Sequence, residues 1–364
     1  MTYRVIGLMS GSSLDGLDIA FVELEQVSGQ WKFSVIAAES YSYPSVWVQR
    51  LSESTRLSSR EYLLLHADYG HYLGELVNRF IEEKELQFKV QLIASHGHTT
   101  FHIPERKMTA QLGEGAAIAA STGIHTVSDL RAMDVALGGQ GAPIVPIGDQ
   151  LLWPGFDYYL NLGGIANITW YASGVPHAFD ICPANRVLNL LAGAMGKPMD
   201  AEGAVARSGA IDLQLLEKLN ALPYYQQPSP KSLANDFGSE LVFPLVLKEA
   251  ATVPDGLRTY AEHIAMQIAQ SVAHHREQSR VSGPSRLLVT GGGAHNSFLM
   301  ERLKTLLHVL GVEAIVPDAQ TVDFKEAIVM AFMGVLRWRE EHNVLSSVTG
   351  SVRDSVGGAF WLGR

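Results

Sequence analysis

The alternation of apolar and polar positions predicts an opening hairpin. An apolar run rises over residues 3–9, a Gly/Ser turn follows, and a second strand-like run covers residues 17–24. A third strand is expected over 31–39, before the break at Ser42, Tyr43 and Pro44. Residues 58–86 then change period. Leu63, Leu64, His66, Tyr69, Leu73, Leu76, Val77 and Phe80 fall near helical spacing and predict a long amphipathic helix. A buried strand over 90–95, a small-residue helix over 111–122 and a strand over 124–129 complete an α/β lobe.

The second half repeats the opening. Residues 157–170 read as strand, glycine turn at Gly163 and Gly164, strand. A strand-like run over 178–182 carries Asp180. Helices are expected over 186–194, 201–219, 257–280, 298–310 and 326–341, with a Pro/Ser/Lys-rich loop over 226–235. The apolar run 286–290 ends in Gly291, Gly292 and Gly293 at the start of a helical pattern. Residues 346–364 return to strand-and-turn chemistry and are expected to pack on the first lobe. The glycine-rich run 138–143 reads as the crossing into the second lobe, either a plain hinge or, with Arg131 and Asp134 beside it, a ligand-facing loop. The expected division is residues 1–127 plus 347–364 for lobe one and 128–346 for lobe two.

Composition narrows the partners. The 364 residues are 47% apolar, enough for two cores, and the formal net charge is −9. An acidic chain argues against nucleic acid or an anionic membrane as the main partner. The single cysteine, Cys182, excludes an internal disulfide and fits a reducing compartment. It reads as a packing residue and not as a nucleophile. No basic segment followed by a long apolar core opens the chain, and the apolar run 327–336 is far short of a membrane span. A cytoplasmic protein is expected. The patterns GxxxxGK[ST], GxGxxG and GxSxG are absent.

The turns carry the candidate chemistry. Gly11 and Gly16 permit positive φ and close ligand approach. Ser12 and Ser13 offer hydroxyls and an N–H nest for an anion. Asp15 and Asp18 repel a bare phosphate but suit one that carries a divalent cation, with Asp15 the first choice of ligand and Asp18 the second. An ordinary tight turn is the competing reading. Two such hairpins and a late strand–glycine–helix suggest a duplicated domain closing on a nucleotide, the hairpins holding phosphates and the triple glycine passing adenosine. Asp180, ending a strand, is placed to accept a proton from an attacking oxygen; a helix N-cap before Pro183 is the alternative. His96, His98 and His102 lack tight metal-ligand spacing and read better as polar contacts than as a zinc site. Glu326 either faces a ligand or pairs with Lys325 on the surface.

Residues 7–18, 95–99, 128–143, 161–169, 291–296, 325–327 and 348–350 run in one order across nearly the whole chain. They resemble the phosphate and adenosine loops of the actin, Hsp70 and sugar-kinase superfamily, and most closely the anhydro-N-acetylmuramic acid kinase family. The resemblance implies a two-lobed, actin-like ATPase fold of α/β class, ribonuclease H-like, with a duplicated domain and a central cleft. It implies ATP and Mg²⁺, with Gly11, Ser12, Ser13, Leu14, Asp15, Gly16, Leu17, Asp18, Gly163, Gly164, Asn167, Gly291, Gly292, Gly293 and Asn296 around the nucleotide. It implies a sugar held by His96, His98, Thr99, Arg131, Asp134 and Glu326. Asp180 is then the general base that activates water as the 1,6-anhydro bridge opens and O6 is phosphorylated. A homodimer is also implied.

The chain departs from the family's pattern after Asp180. Ile181, Cys182 and Ala184 replace a hydroxyl residue and two glycines, Asn189 stands where a second aspartate is expected, and His98 replaces a usual glutamine. These differences leave open a kinase of another anhydro- or amino sugar. A non-enzymatic actin- or Hsp70-like nucleotide-binding protein is a further reading.

Overall fold

The structure, a computed structural model, describes residues 1–364 apart from 12–13, 173–174, 229–230, 234–235, 282 and 364. The chain divides into two compact units, Met1–Pro154 with Phe324–Arg364, and Gly155–Asp323. The expected boundaries at 127/128 and 346/347 therefore move. Residues 128–154 and 324–346 stay with the first unit for a packing reason. The helix Ala319–Trp338 lies so close to the first strand that a Cβ on Gly7 would sit 1.9 Å from the Ala327 carbonyl oxygen. The helix Pro146–Leu152 is equally close, with a Cβ on Gly148 reaching 2.4 Å from Val329.

Thirteen strands are found among the described residues: β1 (Thr2–Ser10), β2 (Gly16–Val27), β3 (Gln30–Ser42), β4 (Leu92–Ser95), β5 (His98–Ile103), β6 (Met108–Leu112), β7 (His125–Ser128), β8 (Tyr158–Leu162), β9 (Ile165–Ala172), β10 (Val175–Pro183), β11 (Ser285–Thr290), β12 (Val312–Ile315) and β13 (Ala359–Trp361). The first unit's main sheet runs β13-β7-β4-β1-β2-β3, and β5 pairs separately with β6. In that sheet β1, β2 and β3 form an antiparallel meander, while β4 and β7 run parallel to β1. The second unit's sheet runs β10-β9-β8-β11-β12, again a meander of three followed by two parallel strands. With the edge strand β13 and the β5–β6 pair set aside, and strands numbered in chain order within each sheet, both sheets run 3-2-1-4-5. This is the ribonuclease H-like arrangement, and its repetition shows the duplicated α/β fold.

The first core packs Ile6, Leu8, Ile19, Phe21 and Ile93 against the helix Ser59–Glu83. Ser58 and Glu61 form a reciprocal capping box that starts this helix. Its buried stripe is Leu65, Tyr69, Leu73, Leu76, Val77 and Phe80. Leu63 and Leu64, expected on that stripe, are 64% and 56% exposed because at about 100° per residue they lie off the i, i+4 row set by Tyr69 and Leu73. The helix expected over 111–122 begins only at Gly115, since Met108–Leu112 pairs as β6 with β5.

The second core packs Leu160, Leu162, Ile168, Leu287 and Val289 against Tyr260, Ile264 and Ile268 of the helix Val253–Gln278. That helix starts before the expected residue 257, because Thr252 accepts from the Asp255 N–H and a proline occupies the first turn. The helix expected over 201–219 is divided into Ala204–Ser208 and Leu213–Asn220. Gly209 has Pro254 O pressed against it, and Asp212 caps the second piece through the N–H groups of Gln214 and Leu215. Cys182 is fully buried here, and burial pushes its thiol pKa up. Among the described residues no helix is long and apolar enough to cross a membrane.

Candidate functional site

The first hairpin aligns Ser10 with Leu17 and Met9 with Asp18. Ser12 and Ser13, expected to hold phosphate, lie outside the described residues. Of the neighbouring residues that are described, Leu14 takes a left-handed φ of 59°. Gly16 belongs to β2 and does not use the positive φ expected of it; it is needed because the Tyr41 carbonyl oxygen lies 2.5 Å from where its Cβ would stand. Leu17 is buried in the core, so its place near the turn is through its backbone.

This turn is tied to buried tyrosines. Tyr43 N–H donates to the Asp15 carbonyl at 3.2 Å, and Tyr43 hydroxyl donates to Ser10 Oγ at 2.8 Å. The Tyr43 and Tyr69 hydroxyls are bonded at 2.6 Å. His98 lies beneath the same turn, with Nδ1 3.4 Å from Ser10 Oγ and a bond to the Gly11 backbone. Burial lowers its pKa, so the imidazole is neutral. Asp18 accepts from Ser40 Oγ across β2 and β3 at 2.5 Å.

His96 and Arg131 form a second group in this unit. Arg131 Nε donates to His96 Nε2 at 2.8 Å. The His96 Nδ1–H then donates to the Gly97 carbonyl at 2.8 Å, which fixes the tautomer. Burial, and then the charge of Arg131, lower His96 to about 3. Arg131 also donates through Nη1 to the Gly141 carbonyl. Burial lowers its pKa to about 10, opposed by Glu326 and Asp134, and it keeps its charge at neutral pH.

Asp134 is fully buried. One oxygen accepts from the Gly141 N–H at 2.8 Å and the other from Thr349 Oγ1 at 2.6 Å. It holds the 138–143 loop. Thr99 is exposed on β5, and His102 bonds Thr109 through Nδ1. Glu326 keeps solvent access while crowded by protein. That crowding raises its carboxyl pKa against the pull of Arg131 and Lys325, and Asp18 adds to the rise. Lys325 is buried and pairs with Asp149 at 2.6 Å, so the surface pair with Glu326 does not form.

In the second unit Asn161, Asn167 and Asp180 stand in one row across β8, β9 and β10. A bulge follows Asp180. The edge of β10 is closed by a segment sequence reading treated only as loop. Lys231 O accepts from Asp180 N–H at 3.1 Å, Leu233 N–H donates to Asp180 Oδ2 at 2.9 Å, and Tyr224 hydroxyl donates to Asp180 O at 2.5 Å. Burial raises the Asp180 pKa, and the Leu233 bond partly offsets this. The helix Asn185–Gly193 has Ala184 as its N-cap with no side-chain bond, so Asp180 is not a cap. No local pattern links residues 224–233 to Asp180, and that is why these partners were missed.

The glycine turns differ in why they need glycine. Gly291 has φ 82° and its Cβ would stand 2.3 Å from Asn161 Oδ1, while Gly293 would meet Leu162 Cβ at 2.7 Å. Gly163, Gly164 and Gly292 meet nothing closer than 3.5, 3.9 and 3.7 Å. The protein itself gives these three no steric reason to be glycine, whereas a ligand resting on the backbone would. The helix Asn185–Gly193 docks between the turns: Ala184 N–H donates to Gly164 O at 2.8 Å, Asn185 N–H to Gly163 O at 3.1 Å, and Asn185 Nδ2 to Leu162 O at 2.9 Å. Asn296 Oδ1 caps the helix Ser297–Val309 by accepting from Leu299 N–H at 2.9 Å.

A family model described as anhydro-N-acetylmuramic acid kinase matches residues 3–363. Curated relatives of that name agree in extent. One from Rhodospirillum rubrum is 34% identical over 98% of this chain and 93% of its own. Those from Gloeobacter violaceus and Photobacterium profundum are 35% and 36% identical, each over 96% of both chains.

Proposed function

The chain belongs to the anhydro-N-acetylmuramic acid kinase family, and from that premise we propose that it opens the bridge of 1,6-anhydro-N-acetylmuramic acid with water and phosphorylates O6 with ATP. The product is N-acetylmuramic acid 6-phosphate, an intermediate of cell-wall recycling. The observation that carries the assignment of roles is Asp180, a carboxylate with a raised pKa fixed at a strand edge by Leu233, Lys231 and Tyr224.

Asp180 takes a proton from water as the water oxygen bonds to the anomeric carbon. The bond from that carbon to O6 breaks, and its electron pair stays on O6. O6 then bonds to the γ-phosphorus and ADP leaves. The proton on Asp180 returns to solvent. Phosphoryl transfer demands positioning and charge neutralisation more than covalent help, which suits a site built of glycines, hydroxyls and carboxylates. Gly163, Gly164 and Gly292 let phosphate and adenosine rest against backbone. Asp15 and Asp18 are hard oxygen donors of the kind Mg²⁺ takes and would hold it; when bound it neutralises phosphate charge. Arg131 grips the sugar's lactyl carboxylate, oriented by His96 and the loop that Asp134 holds. Glu326, Thr99 and His98 complete the sugar side in this reading. A cytoplasmic homodimer belongs to the same proposal.

Three of the residues that depart from the family's pattern lie away from any ligand, and His98 is the departure that falls on the sugar side of this reading. Ile181, Cys182 and Ala184 are all buried in the core, so they change the packing behind Asp180. Purified protein, ATP and a panel of anhydro- and amino sugars, with ADP release and product mass measured, test the assignment. Turnover with 1,6-anhydro-N-acetylmuramic acid and a mass gain of one phosphoryl group (HPO3) plus one water are expected. Preference for another sugar would overturn the substrate, and ADP release without sugar product would overturn the kinase.

A further inference from the structure

Arg186 lies against the Gly163 and Gly164 turn of the second unit, and no role is assigned to it above. It is the second residue of the helix Asn185–Gly193. Its own N–H donates to Gly164 O at 3.3 Å. Its side chain folds back over the same glycine: a Cβ on Gly164 would stand 3.9 Å from Arg186 Cβ and 4.0 Å from its Nε. The Nε is buried and has no hydrogen-bond partner among the described residues. No carboxylate of the described residues pairs with this guanidinium either.

An arginine N–H withdrawn from water without an acceptor is costly. Buried polar groups in folded proteins almost always have partners. Here the missing acceptor coincides with the open space over Gly164, while the preceding residue, Asn185, faces Gly292, its Nδ2 3.7 Å from where a Cβ there would stand. A guanidinium presents several donors in a planar fork that matches phosphate oxygens.

We propose that Arg186 is a nucleotide-binding residue of this chain, donating to phosphate oxygens of ATP at the Gly163 and Gly164 turn. The proposal rests on the nucleotide reading above and adds a cation to a site otherwise made of backbone and carboxylates. It also offers a reason for the acidic chain to accept an anionic ligand there.

Calorimetric titration of ATP, ADP and adenosine into wild type, Arg186→Met and Arg186→Lys tests it. Arg186→Met is expected to weaken ATP and ADP by about 10- to 100-fold, the range for a charge-assisted bond, and to leave adenosine unchanged. Arg186→Lys, which keeps the charge and loses the fork, is expected to fall between. In turnover the KM for ATP rises and that for the sugar does not. Unchanged ATP affinity in Arg186→Met would overturn the proposal. So would an equal loss for adenosine, which would show a structural role or stacking on the base. Wild type that binds no adenine nucleotide would overturn the nucleotide reading itself, a result distinct from either.

Discussion

His96 Nε2 accepts a hydrogen bond from Arg131 Nε at 2.8 Å, and the opposite ring nitrogen is committed to Gly97 O. Both nitrogens of His96 are thereby used inside the protein. In the proposed site it therefore orients Arg131 without touching the sugar, and another acceptor can replace it. His96→Gln is expected to keep the KM for the sugar within a few-fold, whereas His96→Leu raises it by about tenfold through an unpaired arginine N–H. Steady-state kinetics with sugar and ATP varied separately check this; equal KM values in both variants would remove His96 from the positioning of Arg131.

Buried neutral histidines also set the response to acid. His96 and His263 are both held down to about 3, in each case first by burial. In the unfolded chain they titrate near 6.5. Between those values the unfolded state binds more protons, so stability is full above about pH 6.5 and falls as pH drops toward 3. Urea midpoints measured over this window are expected to decline steadily, with a shallower slope in His263→Gln. A flat curve would contradict the neutral burial of these rings.

Asp180→Asn is expected to bind ATP normally and to lose about 10²–10⁴ in turnover, the range for a general base. Because its pKa is raised, the acid limb of the wild-type rate profile should lie above the ordinary aspartate range and vanish in the variant. Near wild-type turnover would take Asp180 out of the mechanism.

The glycines separate into two classes that mutation should distinguish. Gly164→Val and Gly292→Val are expected to fold with little change in Tm and to bind ATP weakly. Gly291→Ala and Gly293→Val are expected to lose stability outright, since Asn161 and Leu162 occupy the space. Thermal melts paired with ATP titration decide it; normal ATP affinity in a folded Gly164→Val would break the argument from open space.

Turnover in ¹⁸O-water is expected to label the anomeric oxygen and not the phosphoryl group, if read quickly or on a trapped derivative. Label in released phosphate with the sugar untouched would show simple ATP hydrolysis.

Much of this was legible in the sequence because it is local. Glycines at 163, 164 and 291–293 punctuate apolar runs, and the period of two on either side announces the hairpins. The long-range pairings were not legible. Asp134 reads as a polar loop residue, yet its partners include Thr349, 215 positions away. Tyr224 and Leu233 reach Asp180 across 44 and 53 positions. The unit boundary at 323/324 leaves no mark in composition, because one helix, Ala319–Trp338, runs through it. Leu63 and Leu64 were misplaced because two adjacent leucines satisfy a helical window in more than one phase.

The repeated strand order places two rows of residues in register. Met9, Asp18 and Ser40 span the first three strands of one unit, and Asn161, Asn167 and Asp180 span the corresponding strands of the other, each row one step back from its glycine turn. Both rows hold a single carboxylate, but on different strands: the second in the first unit, the third in the other. The two acids are therefore not equivalent under the repeat: Asp18 lies inside its sheet, with β1 on one side and β3 on the other, whereas Asp180 lies on the edge strand β10. In the proposed reading the first faces a cation and the second a water, so one topology used twice presents two different acids, and exchanging the rows between the units would not exchange their roles.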